Sequence, residues 1–256
     1  MYTYSSRIAY SETGADSVLT PVALVDYFQN CSTFQTQDGP VPMEELSRRG
    51  ILWVINSWQI DMMRLPRLGE RVVIGTVPYE MKGFIGLRNF FMDTADTGER
   101  LAIANSTWSL IDRESGRPVR VTKDICDAYP LDEMLPMELL PRKLVLPDAS
   151  GHCPEGCQIM DSSPFTVSTH HLDSNRHVNN GQYIRMAMDA ADECHAFPED
   201  NNTIRRIRAE YHSQARLQDK IRPRVYVNRR DDAGLTVTVA INGRDGSPYT
   251  VVELWT

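Results

Sequence analysis

No apolar run in these 256 residues approaches the roughly 20 needed for a membrane helix, so none is expected. Cysteine is scarce: five residues, an odd number without a compact framework, predict reduced thiols rather than a disulfide scaffold. Excess positive charge is lacking as well. The formal charge of −7 removes any general attraction to nucleic acid or to an anionic membrane. Met1 to Ser5 shows neither a basic nor an apolar leader region. With the free thiols, this predicts a cytoplasmic chain. There is no G-x-S-x-G, Walker A loop, G-x-G-x-x-G or H-E-x-x-H. Serine hydrolysis on an α/β-hydrolase fold, P-loop chemistry, dinucleotide binding and zinc proteolysis are therefore not expected. His152-Cys153 with Cys157 gives only a Cys-x3-Cys without a second ligand pair, so neither a metal nor any other cofactor is expected.

What is present suits one large domain or two of ordinary size, with 41% hydrophobic residues for a core. Ser6 to Tyr10 reads as an opening strand, followed by a turn at Gly14-Ala15-Asp16. Thr20 and Pro21 form a good helix start, and Val22, Val25 and Phe28 follow at helical spacing, with Leu24, Cys31 and Phe34 widening the apolar face. A helix apolar over so much of its surface is expected to be wrapped by other elements. Met43 to Arg49 reads as a short helix ended by Gly50. Strands are expected over residues 51–60, 71–77, 84–93 and 101–112, with a hairpin turn at Asp96-Thr97-Gly98.

Six prolines between Pro130 and Pro164 break the pattern. The expected organisation is one domain over residues 1–130, a linker over 131–163 and a second domain over 164–256. In the second domain the order recurs: a strand over 165–170, a helix from Asn180 to about His195, and strands over 203–211, 221–228, 235–242 and 249–255. The chain is α+β with a long internal repeat.

The richest stretch precedes the second helix: His170-His171-Leu172-Asp173-Ser174-Asn175-Arg176-His177-Val178-Asn179-Asn180-Gly181. Asp173, Asn175 and His177 alternate at spacing two, which on an extended segment puts a carboxylate, an amide and an imidazole on one side. These groups supply a base, an orienting group and a proton carrier, and the helix N-terminus beyond them favours developing negative charge. The pattern suits hydrolysis of an acyl compound without a covalent nucleophile. Caps and turns use the same residue types, so a structural role for Asn179 and Asn180 stands beside the catalytic one.

Leu172 to Asn180 with Tyr183-Ile184 resembles the signature L-D-x-N-x-H-V-N-N-x-x-Y of acyl-acyl carrier protein thioesterases, plant plastid and bacterial. Ile8 to Asp16, Leu52-Trp53-Val54, Arg67 to Glu70 and Glu210-Tyr211 resemble further segments of that family. The resemblance implies a tandem, or double, hotdog, each half a buried helix wrapped by an antiparallel sheet. It also implies a bacterial member that hydrolyses the thioester of a fatty acyl-acyl carrier protein in fatty acid biosynthesis. Asp173, Asn175 and His177 match the family's catalytic positions. Where the family has Glu and then Cys after the Glu-Tyr strand, this chain has Gln214 and Ala215. Ala215 cannot be a nucleophile, so the attacking group is expected to be water, activated by Asp173 and held by Gln214. Backbone N–H groups near Asn180 and Gly181 are expected to stabilise the oxyanion.

The first domain lacks such a polar run and is expected to hold the acyl chain, with Val22, Val25, Phe28, Trp53 and Met62 as candidates. Those positions also suit plain core packing. The partner implied is an acyl carrier protein bearing a phosphopantetheine-linked acyl chain; no nucleic acid or membrane partner is expected, and a homodimer is an open option. Nine basic residues between Arg205 and Arg230 stand against Glu210 and Asp219, a local surface for an acidic carrier. Other functions weighed are an acyl-CoA thioesterase on the same fold, a hotdog dehydratase and a non-catalytic acyl-binding hotdog protein.

Overall fold

Thr20 and Pro21 open the longest helix, α1 (Pro21–Asp38), and the Thr20 hydroxyl accepts the Ala23 N–H as the N-cap. The computed structural model describes residues 1–148, 155–197, 204–230 and 234–256. They form two units, Met1–Leu139 and Leu140–Thr256.

In the first unit β1 (Tyr2–Arg7), β2 (Ile51–Met62), β3 (Arg71–Lys82), β4 (Ile85–Thr94) and β5 (Arg100–Asp112) form an antiparallel sheet. Its order is β1-β3-β4-β5-β2. α1 packs on β1 and β3, and a short α2 (Met43–Arg48) stops at Gly50, which takes the left-handed conformation that favours glycine (φ 68°). Val22, Leu24, Val25, Phe28 and Cys31 are all buried, so the helix is apolar around most of its circumference because it sits in the core. Phe28 lies against Trp58 and Phe90, with ring centroids 6.2 and 5.5 Å away. The opening strand starts earlier than expected. Ser6 to Tyr10 is only partly strand, because residues 10–12 turn into a 3-10 helix capped by the Glu12 carboxylate, which accepts the Ala9 N–H at 2.7 Å.

The stretch expected to be a linker is held down along much of its length. Just before it, within the expected first domain, Lys123–Ala128 forms α3. Leu135 donates its N–H to Asn89, and Gln59 donates to the Glu138 carbonyl, both within the first unit. In the second unit the Leu144 N–H reaches the buried Glu210 carboxylate at 2.8 Å, and Gln158–Asp161 forms the edge strand β6. Proline removes donors and periodicity without preventing such side-chain and edge pairing.

The second unit repeats the plan. After the short β7 (Phe165–Thr166) comes α4 (Asn180–Glu193), followed by β8 (Arg206–Tyr211), β9 (Lys220–Arg229), β10 (Leu235–Asn242) and β11 (Pro248–Trp255). The sheet runs β8-β11-β10-β9-β6, with β7 also paired to β9. α4 packs on β9, β10 and β11 through Tyr183, Ile184, Ala187, Ala190 and Ala191. His170-His171, expected at a strand end, instead closes a 3-10 turn over Thr169–His171, where the His171 Nδ1 accepts the Ser168 N–H.

Candidate active site

Asp173 to His177 is a tight turn, which corrects the extended segment expected from the spacing of two. The Asp173 N–H donates to the His177 carbonyl at 2.8 Å, and the Arg176 N–H donates to the Asp173 carbonyl. Asp173 Oδ1 accepts the N–H groups of Asn175 (2.8 Å) and His177 (3.3 Å). Arg176 takes φ 62°, so one residue is left-handed to close the loop. The turn still gathers Asp173, Asn175 and His177 within five residues, and all three are half-buried. Among the described residues nothing donates to Asp173 Oδ2, and the Asn175 amide has no partner.

The first unit builds the same turn from different residues. Gly14 donates to the Val18 carbonyl, Ser17 is left-handed at φ 61°, and Val18 donates to Asp16 Oδ1. Leu19 donates to the Pro66 carbonyl as Val178 does to that of Ala215, and Thr20 caps α1 as Asn179 caps α4. Gly14, Asp16 and Val18 thus occupy the places of Asp173, Asn175 and His177. Because glycine and valine suffice to form this turn, its geometry does not demand an acid at 173 or an imidazole at 177.

α4 begins directly after the turn. Asn179 Oδ1 accepts the Gly181 N–H at 2.9 Å, so that N–H is committed to the cap and is not available to an oxyanion, contrary to expectation. Gln214 lies on the exposed loop after β8, two residues before the Arg216 that bridges to His177. Its side chain makes no hydrogen bond to Asp173 or Asn175.

Tyr183 went unnoticed as an organiser. Its buried hydroxyl accepts the Ala215 N–H at 2.7 Å, tying α4 to the loop that carries Gln214. The first unit needs no such acceptor, since the matching residue is Pro66, which has no N–H. Burial pushes the Tyr183 phenol well above its ordinary pKa, and the neighbouring Asp219 and Asp173 act in the same direction. Tyr183→Phe is expected to cost about 1–3 kcal/mol, the penalty for a buried donor left without an acceptor. A denaturant midpoint unchanged from wild type would show that this bond contributes nothing.

Several of the basic residues expected to form a docking surface are already engaged. Arg208 pairs with Glu253 at 2.6 Å and Arg224 with Asp161 at 2.8 Å. Arg206 and Arg230 lie over the Trp255 ring, at 5.1 and 4.6 Å. Arg205, Arg222 and Arg229 are exposed.

Among the described residues no group of three or more His, Cys, Asp or Glu is placed to hold a metal ion; His152 and Cys153 lie outside them. No helix among them is long and apolar enough to cross a membrane.

The profile of the acyl-ACP thioesterase N-terminal domain matches residues 1–129, and that of the C-terminal domain matches residues 157–254. The chain belongs to the acyl-ACP thioesterase family. The family's fold is present in full. A Lactobacillus plantarum protein described as an oleoyl thioesterase superposes with a TM-score of 0.84 at 21% identity, covering 99% of this chain and 94% of that one. An acyl-ACP thioesterase from Bacteroides thetaiotaomicron gives 0.80 at 20% identity, covering 99% and 97%. The fold is thus a double hotdog. A chloroplastic acyl-[acyl-carrier-protein] hydrolase of Cuphea viscosissima is 25% identical over 190 residues, 70% of this chain. This acyl-ACP thioesterase family member spans only 44% of that relative's length.

Proposed function

We propose that this chain hydrolyses the thioester between a fatty acyl group and acyl carrier protein, releasing free fatty acid in the cytoplasm during fatty acid biosynthesis. Membership of the family supports the reaction class. The observation that carries the mechanism is the duplicated turn: only its second copy bears an acid, an amide and an imidazole, and the fold does not require them.

Asp173 holds the turn through Oδ1, leaving Oδ2 to accept a proton from water. The water oxygen bonds to the thioester carbonyl carbon, and the carbonyl becomes an oxyanion. The Asn175 amide donates to that oxygen, and the N-terminal end of α4 adds its dipole. His177 positions the acyl group. The intermediate then expels the thiolate, which takes up the proton, so no covalent acyl-enzyme forms. Gln214 is assigned to the water as a second hydrogen-bonding partner. The N-terminal domain expected over residues 1–130 is assigned to the acyl chain, with Val22, Val25, Phe28, Trp53 and Met62 beside it. The exposed Arg205, Arg222 and Arg229 are assigned to the acidic carrier.

The test is release of free fatty acid from a panel of acyl-acyl carrier proteins, with matching acyl-CoAs alongside. Release from the carrier protein well above that from CoA is expected. Equal rates would favour a general acyl-CoA thioesterase, and tight acyl binding without turnover would favour a binding protein.

A further inference from the structure

The loops over residues 63–70 and 212–219 follow the same path in the two units. Met63 and Arg64 donate their N–H groups to the Leu101 carbonyl, as His212 and Ser213 do to that of Tyr249. The Arg67 N–H meets Glu70 Oε2 at 3.0 Å, as the Arg216 N–H meets Asp219 Oδ2 at 2.8 Å. Gly69 and Gln218 are both left-handed, at φ 83° and 71°. In the neighbouring hairpin turns, Thr94 donates to the Glu99 carbonyl as Gly243 does to that of Ser247. Ser213 thus stands in the place of Arg64, Asp219 in that of Glu70, and Ser247 in that of Glu99.

In the first unit this corner is closed by charge. Arg64 grips both acids, with Nη2 2.7 Å from Glu70 Oε1 and 2.9 Å from Glu99 Oε2. In the second unit serines replace the arginine and the outer glutamate, and a cleft of about 410 Å³ opens between the loop and the turn. Small-molecule sites have volumes of roughly 300–1,000 Å³. Because the first copy folds with this corner plugged, the fold does not demand a cleft. It opens in the copy whose turn carries Asp173, Asn175 and His177.

The lining combines neutral hydrogen-bonding groups with two cations. The Ser213 and Ser247 hydroxyls and the Gln218 amide have no partner among the described residues. Arg244 has none either, and Lys220 meets only the Thr166 hydroxyl, at 2.9 Å. Both carboxylates are partly committed. Asp219 Oδ2 accepts the Tyr249 hydroxyl as well as the Arg216 N–H, and Asp245 Oδ1 accepts the Ser247 N–H. Two cations so placed suit a phosphoryl group, while hydroxyls and an amide suit a chain that itself carries amides. The cleft also adjoins the candidate site. Ser213 directly precedes Gln214, and Asp219 and Asp173 both act on the buried Tyr183 hydroxyl.

We propose that this cleft seats a 4′-phosphopantetheine arm, its phosphate on Arg244 and Lys220 and its amides along Ser213, Ser247 and Gln218. The arm belongs either to an acyl carrier protein or to coenzyme A. The proposal rests on the carrier-protein thioester assigned above as substrate. Binding is read without turnover, so an arm that binds but is never hydrolysed refutes that reaction and leaves the cleft standing.

The full chain is titrated with 4′-phosphopantetheine and with pantetheine, followed by calorimetry. Wild type is expected to bind the phosphorylated compound at least about tenfold more tightly, and Arg244→Gln with Lys220→Gln is expected to abolish that preference. Ser213→Arg with Ser247→Glu rebuilds the plug of the first unit around Asp219. That variant is expected to fold and to bind neither compound. No binding to wild type, no preference for the phosphate, or binding that survives the plug overturns the proposal. If the plugged variant does not fold, the charge-removed variant decides alone, because Arg244 and Lys220 are exposed. Two comparisons separate the sources. Holo carrier protein that binds at least about tenfold more tightly than the apo form, a difference the plug erases, identifies the carrier. Coenzyme A bound as tightly as 4′-phosphopantetheine, with apo and holo carrier bound alike, identifies the coenzyme.

Discussion

Asp173→Asn is expected to lower fatty acid release from acyl-acyl carrier protein by about 100- to 10,000-fold, the range that a positioned general base contributes. The substitution isolates the chemistry, because an amide oxygen at position 173 can still accept the N–H bonds of Asn175 and His177 that close the turn. The fold is further protected by precedent within the chain, since the matching turn forms around Gly14. The variant is therefore expected to unfold within about 1 kcal/mol of wild type. Single-turnover release, compared with an unfolding curve on the same preparation, checks both halves. A folded variant at wild-type rate sinks the mechanism. A collapse of the fold would instead show that the carboxylate holds the turn.

The largest loss of stability is expected from Phe28→Ala, at about 3–5 kcal/mol. Phe28 is fully buried on α1, with Trp58 and Phe90 against its ring. Their bulk prevents the site from collapsing around an alanine, so the transfer loss is joined by the cost of a cavity. The denaturant midpoint of the first unit's transition, read by Trp53 and Trp58, measures it. A shift worth less than about 1 kcal/mol would mean that the neighbours refill the space.

Local signals were legible because the chemistry behind them is local. Thr20-Pro21 starts α1 where expected, since a hydroxyl cap and a missing N–H act within three residues. β10 falls on the expected 235–242, a run of alternating β-branched residues ended by Asn242-Gly243. The candidate residues Asp173, Asn175 and His177 were legible as a group, but their shape was not. Spacing two suits a strand and an Asx turn equally, and only the bonds to Asp173 Oδ1 separate them. A sign was available in the matching Gly14-Ala15-Asp16, already read as a turn.

Ser213 and Tyr183 escaped for a different reason: each looks ordinary in sequence, one as a polar residue in a loop, the other as a member of a helical stripe. The sequence by itself determined the α+β repeat, the buried α1, the polar run before α4 and the family, because capping, periodicity and motif order are written along the chain. Tertiary structure alone decided that the run is a turn, that Gly181 is spent on its cap, and that Tyr183 serves Ala215. It alone showed that Ser213 leaves open the corner that Arg64 closes. Each of these depends on which distant donor meets which acceptor. Such pairing is fixed only once the strands are in register and the helix lies against them.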